Sequence, residues 1–339
     1  MGSEKQIVTA SKTDITSGEF VDVVFAGDTE IAKATRHFLT TKVANPHSRD
    51  NYTRSVRDFL GSCFAAGLAI DQVDTEVLGH YRDHLMERHD ISTVNNKLSG
   101  ISKFYRTLIQ ENLLRVNPGD KLERPRLERE TGTTPEIPVK DARKLLDSIT
   151  GTDVVSLRDK ALLGVLAFTA LRVGAEANIR LCNFQNDGDQ YVLLVTEKRG
   201  KKRKVPVRHD LQEWILDYVY AAGLSQEPDG WHLFRAAKGK TKTLKPYAPE
   251  NPDAGTKVSG AMTSTHIHRM LKRRLKNAGL PTHYSCHSFR VAIATDLFRQ
   301  GVDGDDVQYL LGHKDRRTTA LYNRKEKKVT RNLVERISI

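Results

Sequence analysis

One break in the pattern governs what this chain can fold into. After Asn117 and Pro118 the helical periodicity stops, and residues 119–138 run charged and aperiodic through Pro125, Pro135 and Pro138. Proline lacks a backbone donor and pushes the residue before it out of the helical region, so no helix crosses this stretch. It reads as a linker between two separately packed bodies. The 339 residues allow that division, since domains commonly hold about 100–200 residues.

Ahead of the linker, apolar residues recur at helical spacing in four segments, near 30–41, 48–66, 75–86 and 92–114. The second aligns Tyr52, Val56, Phe59, Leu60 and Cys63; the fourth aligns Val94, Leu98, Ile101, Tyr105 and Leu108. Four helices with short connections predict a compact helical domain over residues 29–118. Residues 1–28 are polar and weakly periodic, and read as a flexible arm in which Phe20, Val23 and Phe25 make at most a short strand. Behind the linker come helical patterns at 139–149 and 156–171, strands at 191–197 and 204–207 around a turn at Gly200, and a helix at 210–222. A long polar loop, 239–260, precedes helices at 263–278, 288–300, 303–311 and 317–324. The expected fold is mainly α with a small antiparallel β-sheet: a helical N-terminal domain, an α+β domain over 139–326, and an amphipathic tail over 327–339.

Charge narrows the partners. Lys and Arg number 54 against 42 Asp and Glu, a formal charge of +12. That excess favours a polyanion such as DNA or RNA. The longest apolar stretch, 161–173, is interrupted by Gly164, Thr169 and Arg172, and falls short of the ~20 apolar residues of a membrane span. The first residues have no apolar core, so no secretory signal is expected. Three scattered cysteines, Cys63, Cys182 and Cys286, suit a reducing cytoplasm and no disulfide framework.

The chemistry-bearing residues concentrate late in the chain. His287 and Arg290 stand one helical turn apart; Leu310-Leu311-Gly312-His313 follows; Thr318 and Thr319 precede Tyr322, which lies nine residues past His313. Arg172 ends an apolar helix, and residues 198–204 carry six basic residues in seven. A guanidinium fork matches phosphate oxygens and stays charged at any working pH. Two forks plus imidazole donors form a clamp for a phosphoryl group gaining negative charge in its transition state. A tyrosine hydroxyl in that clamp is a nucleophile, and its attack conserves the bond energy in a phosphotyrosyl ester. A lysine on the β-turn supplies a proton to the leaving oxygen. Such a reaction needs no ATP, no cofactor and no metal. His266, His268, His283, Cys286 and His287 crowd together but lack the spacing of a zinc site.

The set Arg172, Lys198, His287-x-x-Arg290, Leu-Gly-His313 and Tyr322 resembles the tyrosine recombinases, the phage integrase, Xer and Cre-like site-specific DNA recombinases. The resemblance covers about residues 139–326, and the helical segment before it looks like the family's core-binding domain. It implies that Tyr322 forms a 3′-phosphotyrosyl link and that Arg172 and Arg290 hold the scissile phosphate. It further implies that Lys198 protonates the 5′-hydroxyl, His287 assists proton transfer, and His313 donates to the phosphate. One position departs from the family: its members usually carry an acidic residue three after the first arginine, where this chain has Ala175, with Glu176 next. Whether Glu176 takes over that role is open at this level.

The expected partner is a double-stranded DNA recombination site, bound by a homo-oligomer, tetrameric on DNA as in the family, without a membrane and within the cytoplasmic nucleoid. Arg199, Lys201, Lys202 and Arg203 on the turn, and Lys272, Arg273 and Arg274 on a helix, are candidate phosphate contacts. Apolar residues Val329, Leu333, Val334 and Ile337 suit a tail docking on a neighbouring subunit. Two other readings stand beside the recombinase: a DNA-relaxing type IB topoisomerase, and a DNA-binding protein without catalysis.

Overall fold

The computed structural model describes residues 18–42, 46–126, 134–196, 202–251, 258–313 and 315–322. The chain divides into two compact units, residues 1–128 and 129–339.

The first unit is helical: α1 Gly18–Val24, α2 Thr29–His37 with a π-helical turn Phe38–Lys42, α3 Pro46–Ala65, α4 Thr75–Met86 and α5 Ile91–Gln110. Three aspartates start helices by accepting from the exposed amides of the first turn: Asp28 from Glu30 and Ile31, Asp74 from Val77, and Asp90 from Thr93. Between the helices lies a core with a large aromatic share. Phe59 meets Tyr81 edge-on at 5.2 Å, Phe38 meets Phe104 at 5.5 Å, and the buried Tyr105 hydroxyl donates to the Ile70 carbonyl at 2.9 Å.

Two expectations need correction here. Residues 18–28 are neither arm nor strand but part of this helical body. Phe20 and Val24, four apart on one face of α1, are fully buried, and Phe20 stacks on Phe64 at 5.2 Å. The remaining arm residues, 1–17, lie outside the described residues. The predicted linker is also shorter than 119–138. Its front is strapped to the helical unit by Leu122, which is buried, and by Asn95 Nδ2 donating to the Pro125 carbonyl at 2.9 Å. Its end belongs to the second unit through the buried Ile137 and a Glu136–Arg299 ion pair.

The second unit contains α6 Val139–Asp147, α7 Val154–Thr169, α8 Val173–Ala177, β1 Phe184–Asn186, β2 Tyr191–Thr196, β3 Lys202–Pro206 and α9 His209–Ala221. It continues with α10 Ser264–Asn277, α11 Cys286–Arg299, α12 Gly304–Leu311 and α13 Arg316–Ala320. Helix α7 is apolar on nearly every side and is buried as the central helix. Gly164 lets α9 approach it: a Cβ there would meet Leu211 Cδ1 at 2.8 Å and the Trp214 ring at 2.9 Å. The sheet is antiparallel in the order β1-β2-β3, with Leu193 opposite Val205 and Val195 opposite Arg203. Strand β1 has three residues, too few to show a period, and no sequence pattern announces it.

Candidate active site

Helix α7 ends at Ala170, an alanine in the left-handed region (φ 53°). That turn puts Leu171 into the core and Arg172, half-buried, just before α8. Helix α11 then supplies His287 and, one turn on, Arg290, which is 1% exposed. Gly312 (φ 63°) terminates α12 in the left-handed conformation glycine favours, delivering His313 into the interior. Helix α13 brings Thr319 and then Tyr322.

These elements converge. The Tyr322 hydroxyl lies 3.1 Å from His287 Nε2, and its ring stacks on His313 at 5.6 Å with a 22° tilt. Arg290 donates to the Ala170 and Leu311 carbonyls and, at 2.8 Å, to His313 Nε2. His313 Nδ1 lies 2.9 Å from Thr319 Oγ1. Tyr322 caps a small apolar cluster with Val291, Ala294, Phe298, Val307 and Leu311, so its ring is packed while its hydroxyl faces the histidine.

Burial and the neighbouring cations lower the pKa of both histidines. Burial, then Arg290, Arg172 and His287, push the His313 pKa down to about 3. Partial desolvation, then Arg290 and Arg172, lower that of His287. Both rings are therefore neutral at neutral pH. Because a guanidinium only donates, His313 Nε2 is an acceptor in this arrangement. The resemblance implied a His313 that donates to phosphate; here that nitrogen faces Arg290.

Ala175 is half-buried, whereas Glu176 is fully buried, so the acidic group on α8 that points inward is Glu176. It accepts no hydrogen bond among the described residues, and burial pushes its carboxyl well above the usual range. The five candidates Arg172, His287, Arg290, His313 and Tyr322 fall on this site. Lys198, Arg199 and Lys201 lie outside the described residues.

Several candidate phosphate contacts are used internally. Arg203 is buried and donates to the Leu310 carbonyl, because β3 turns that side chain inward. Lys272 Nζ donates to the Tyr284 carbonyl at 2.7 Å and to that of Thr282 at 2.5 Å. Arg273 and Arg274 each reach Asp159 Oδ2 at 2.8 Å. Of the described candidates, Lys202 is exposed without such a tie, and Arg273 keeps half its surface. Sequence reasoning gave Arg203 a phosphate-facing role and Thr319 none. The Thr318-Thr319 pair was visible, but nothing local tells which hydroxyl turns inward. Among the described residues no group of His, Cys, Asp and Glu is placed to hold a metal ion, and no helix is long and apolar enough to cross a membrane.

The model of the phage integrase family matches residues 136–328, and that of the phage integrase N-terminal SAM-like domain matches 35–112. The chain belongs to the phage integrase family, the class of the tyrosine recombinases. Among its relatives, tyrosine recombinase XerC of Natranaerobius thermophilus is 30% identical over 259 residues, covering 74% of this chain and 78% of that protein. Tyrosine recombinase XerD of Pseudomonas aeruginosa is 27% identical over 280 residues, covering 81% and 86%. The fold is shared with a lambda integrase dimer bound to a COC′ core site, at TM-score 0.63 and 14% identity over 89% of this chain and 99% of that one. It is shared too with a XerH recombinase bound to a palindromic difH substrate, at TM-score 0.60 and 16% identity over 88% and 91%.

Proposed function

We propose that this chain is a site-specific DNA recombinase that cuts and rejoins duplex DNA through Tyr322. The observation that carries this reading is the Tyr322 hydroxyl set 3.1 Å from a neutral His287, beside the Arg290–His313 pair. Arg172 and Arg290 take the non-bridging oxygens of the scissile phosphate and stabilise the charge that develops there. The phenol gives its proton to His287 Nε2 as its oxygen attacks phosphorus. The P–O bond to the 5′-oxygen breaks, Lys198 protonates that oxygen, and a 3′-phosphotyrosyl ester remains. Attack by a 5′-hydroxyl from a second duplex reverses these steps and completes strand exchange.

The helical unit binds DNA as a core-binding domain, the second unit carries catalysis, and residues near 127–133 join them. Four protomers assemble on paired sites, and the tail after residue 327 docks its apolar positions on a neighbour. The place of action is the DNA of the cytoplasmic nucleoid. A pool of nicked duplexes tests the reaction, because a short cut strand diffuses away and traps the covalent complex. The native protein yields detergent-resistant adducts and Tyr322→Phe yields none; adducts from both, or from neither, sink the proposal. Truncation after Thr330 tests the tail: the shortened protein still cleaves but no longer forms paired-site complexes.

A further inference from the structure

Helix α12 stops just short of the active-site residues, and its end is held from two sides. A helix leaves its last carbonyls without intrahelical donors, and they carry the negative pole of its dipole. Past Leu311 the chain turns left-handed at Gly312, whose amide returns to the Tyr309 carbonyl, while the His313 amide returns to that of Gln308. The next two carbonyls, of Leu310 and Leu311, each receive an arginine from another element. Arg203 of β3 donates Nη1 to Leu310, and Arg290 of α11 donates Nη2 to Leu311. Both arginines are buried.

Along β3, Lys202 and Lys204 are exposed while Arg203 and Val205 face inward. An arginine stays charged at any working pH, and a desolvated charge needs acceptors to compensate it. The negative end of α12 supplies one to Arg203. The consequence reaches the site through the chain itself. His313 follows Leu310 by three residues, and Tyr322 packs in one apolar cluster with Val307 and Leu311 of α12. A drift of this helix end would therefore move the imidazole and the wall behind the tyrosine ring together.

We propose that Arg203 is a positioning residue: it pins the carboxyl end of α12 to strand β3 and so fixes where the chain leaves the helix towards His313 and Tyr322. Its guanidinium is thereby used within the protein and not on a DNA phosphate. The catalytic consequence rests on the recombinase reading above; the tie itself does not.

The test reads the tie and its consequence separately. Amide hydrogen exchange of the full chain, followed by mass spectrometry, compares the peptide spanning 305–313 with peptides of α7. In Arg203→Met the first exchanges about 10-fold faster than in the native protein while α7 is unchanged, because a charge-assisted bond at the helix end is gone. Arg203→Lys, which keeps a cationic donor, returns exchange towards the native value. Native protection in Arg203→Met, or protection lost throughout the second unit, overturns the tie as a local device. Single-turnover adduct formation is then followed over a range of DNA concentrations, on duplexes recovered by the native protein. Arg203→Met lowers the saturating rate on the order of 10- to 100-fold, as misplacement of a reacting group does elsewhere. Half-saturation and its salt dependence stay native, and Arg203→Lys recovers most of the rate. A native saturating rate overturns the positioning role. So does a salt slope reduced by about 1, the mark of a phosphate contact. If Arg203→Met does not fold, Arg203→Gln, neutral and shorter, carries the same expectations. If no protein forms adducts, the recombinase reading fails while the exchange data still judge the tie.

Discussion

Two of the buried arginines of the second unit, Arg158 and Arg290, meet different company. Around Asp159, which is fully buried, Arg158, Arg273 and Arg274 converge on one carboxylate. In the active site Arg290 meets two backbone carbonyls and a neutral imidazole. The first group joins α7 to α10 and spends its charge on holding the fold. The second donates to two carbonyls and an imidazole, and after burial itself its charge lowers the pKa of both neighbouring histidines. A phosphate offers Arg290 stronger, charged acceptors than carbonyl oxygens do. Burial of an arginine therefore does not by itself mark structure or function; the charge of what it faces does.

The sharpest way to break this comparison is to remove the carboxylate. Asp159→Ala leaves Arg158 buried without its anion, and should cost about 3–5 kcal/mol of stability, read from urea unfolding. The protein that stays folded should form adducts at the native rate. Arg290→Gln is the counterpart. It should lower single-turnover adduct formation by on the order of 100- to 1000-fold, with a smaller loss in urea stability than Asp159→Ala. If the two variants exchange these effects, the division of labour is wrong.

Glu176 sharpens the contrast from the acid side. Unlike Asp159 it accepts no hydrogen bond among the described residues, and burial pushes its carboxyl well above the usual range. Its folded pKa is raised, so the unfolded chain loses this proton first as pH rises. The associated stability is complete below the ordinary carboxyl range and is lost as pH climbs through the folded value. Native protein should therefore unfold more readily at pH 8 than Glu176→Gln, whose stability should be flatter over that interval. The smallest effect is expected from strand β3, where exposed Lys202 alternates with buried Arg203. Lys202→Ala should reduce the slope of log affinity against log salt by about 1, measured by titration on a duplex.

Local signals were enough for much of this. His287, Arg290, His313 and Tyr322 sit within short motifs, and the aspartate caps at Asp74 and Asp90 bracket helices that periodicity already outlines. Helix α1 was missed because its burial comes from Phe64 on α3, not from a clear period of its own. The tie of Arg273 and Arg274 to Asp159 was not legible because that carboxylate is 114 and 115 residues away. The inward bond of Arg203 was hidden likewise, its acceptor being 107 residues on.

What the sequence indicated alone was the order of most elements, a division into two bodies, and the motifs around His287, Arg290, His313 and Tyr322 that resemble the family. Those depend on backbone propensity, capping and spacing, which act over a few residues. The tertiary structure decided which cations are consumed inside, which threonine grips His313, and which acidic residue on α8 is buried. Those outcomes depend on desolvation and pairing, and both are settled only when distant segments meet in one low-dielectric interior.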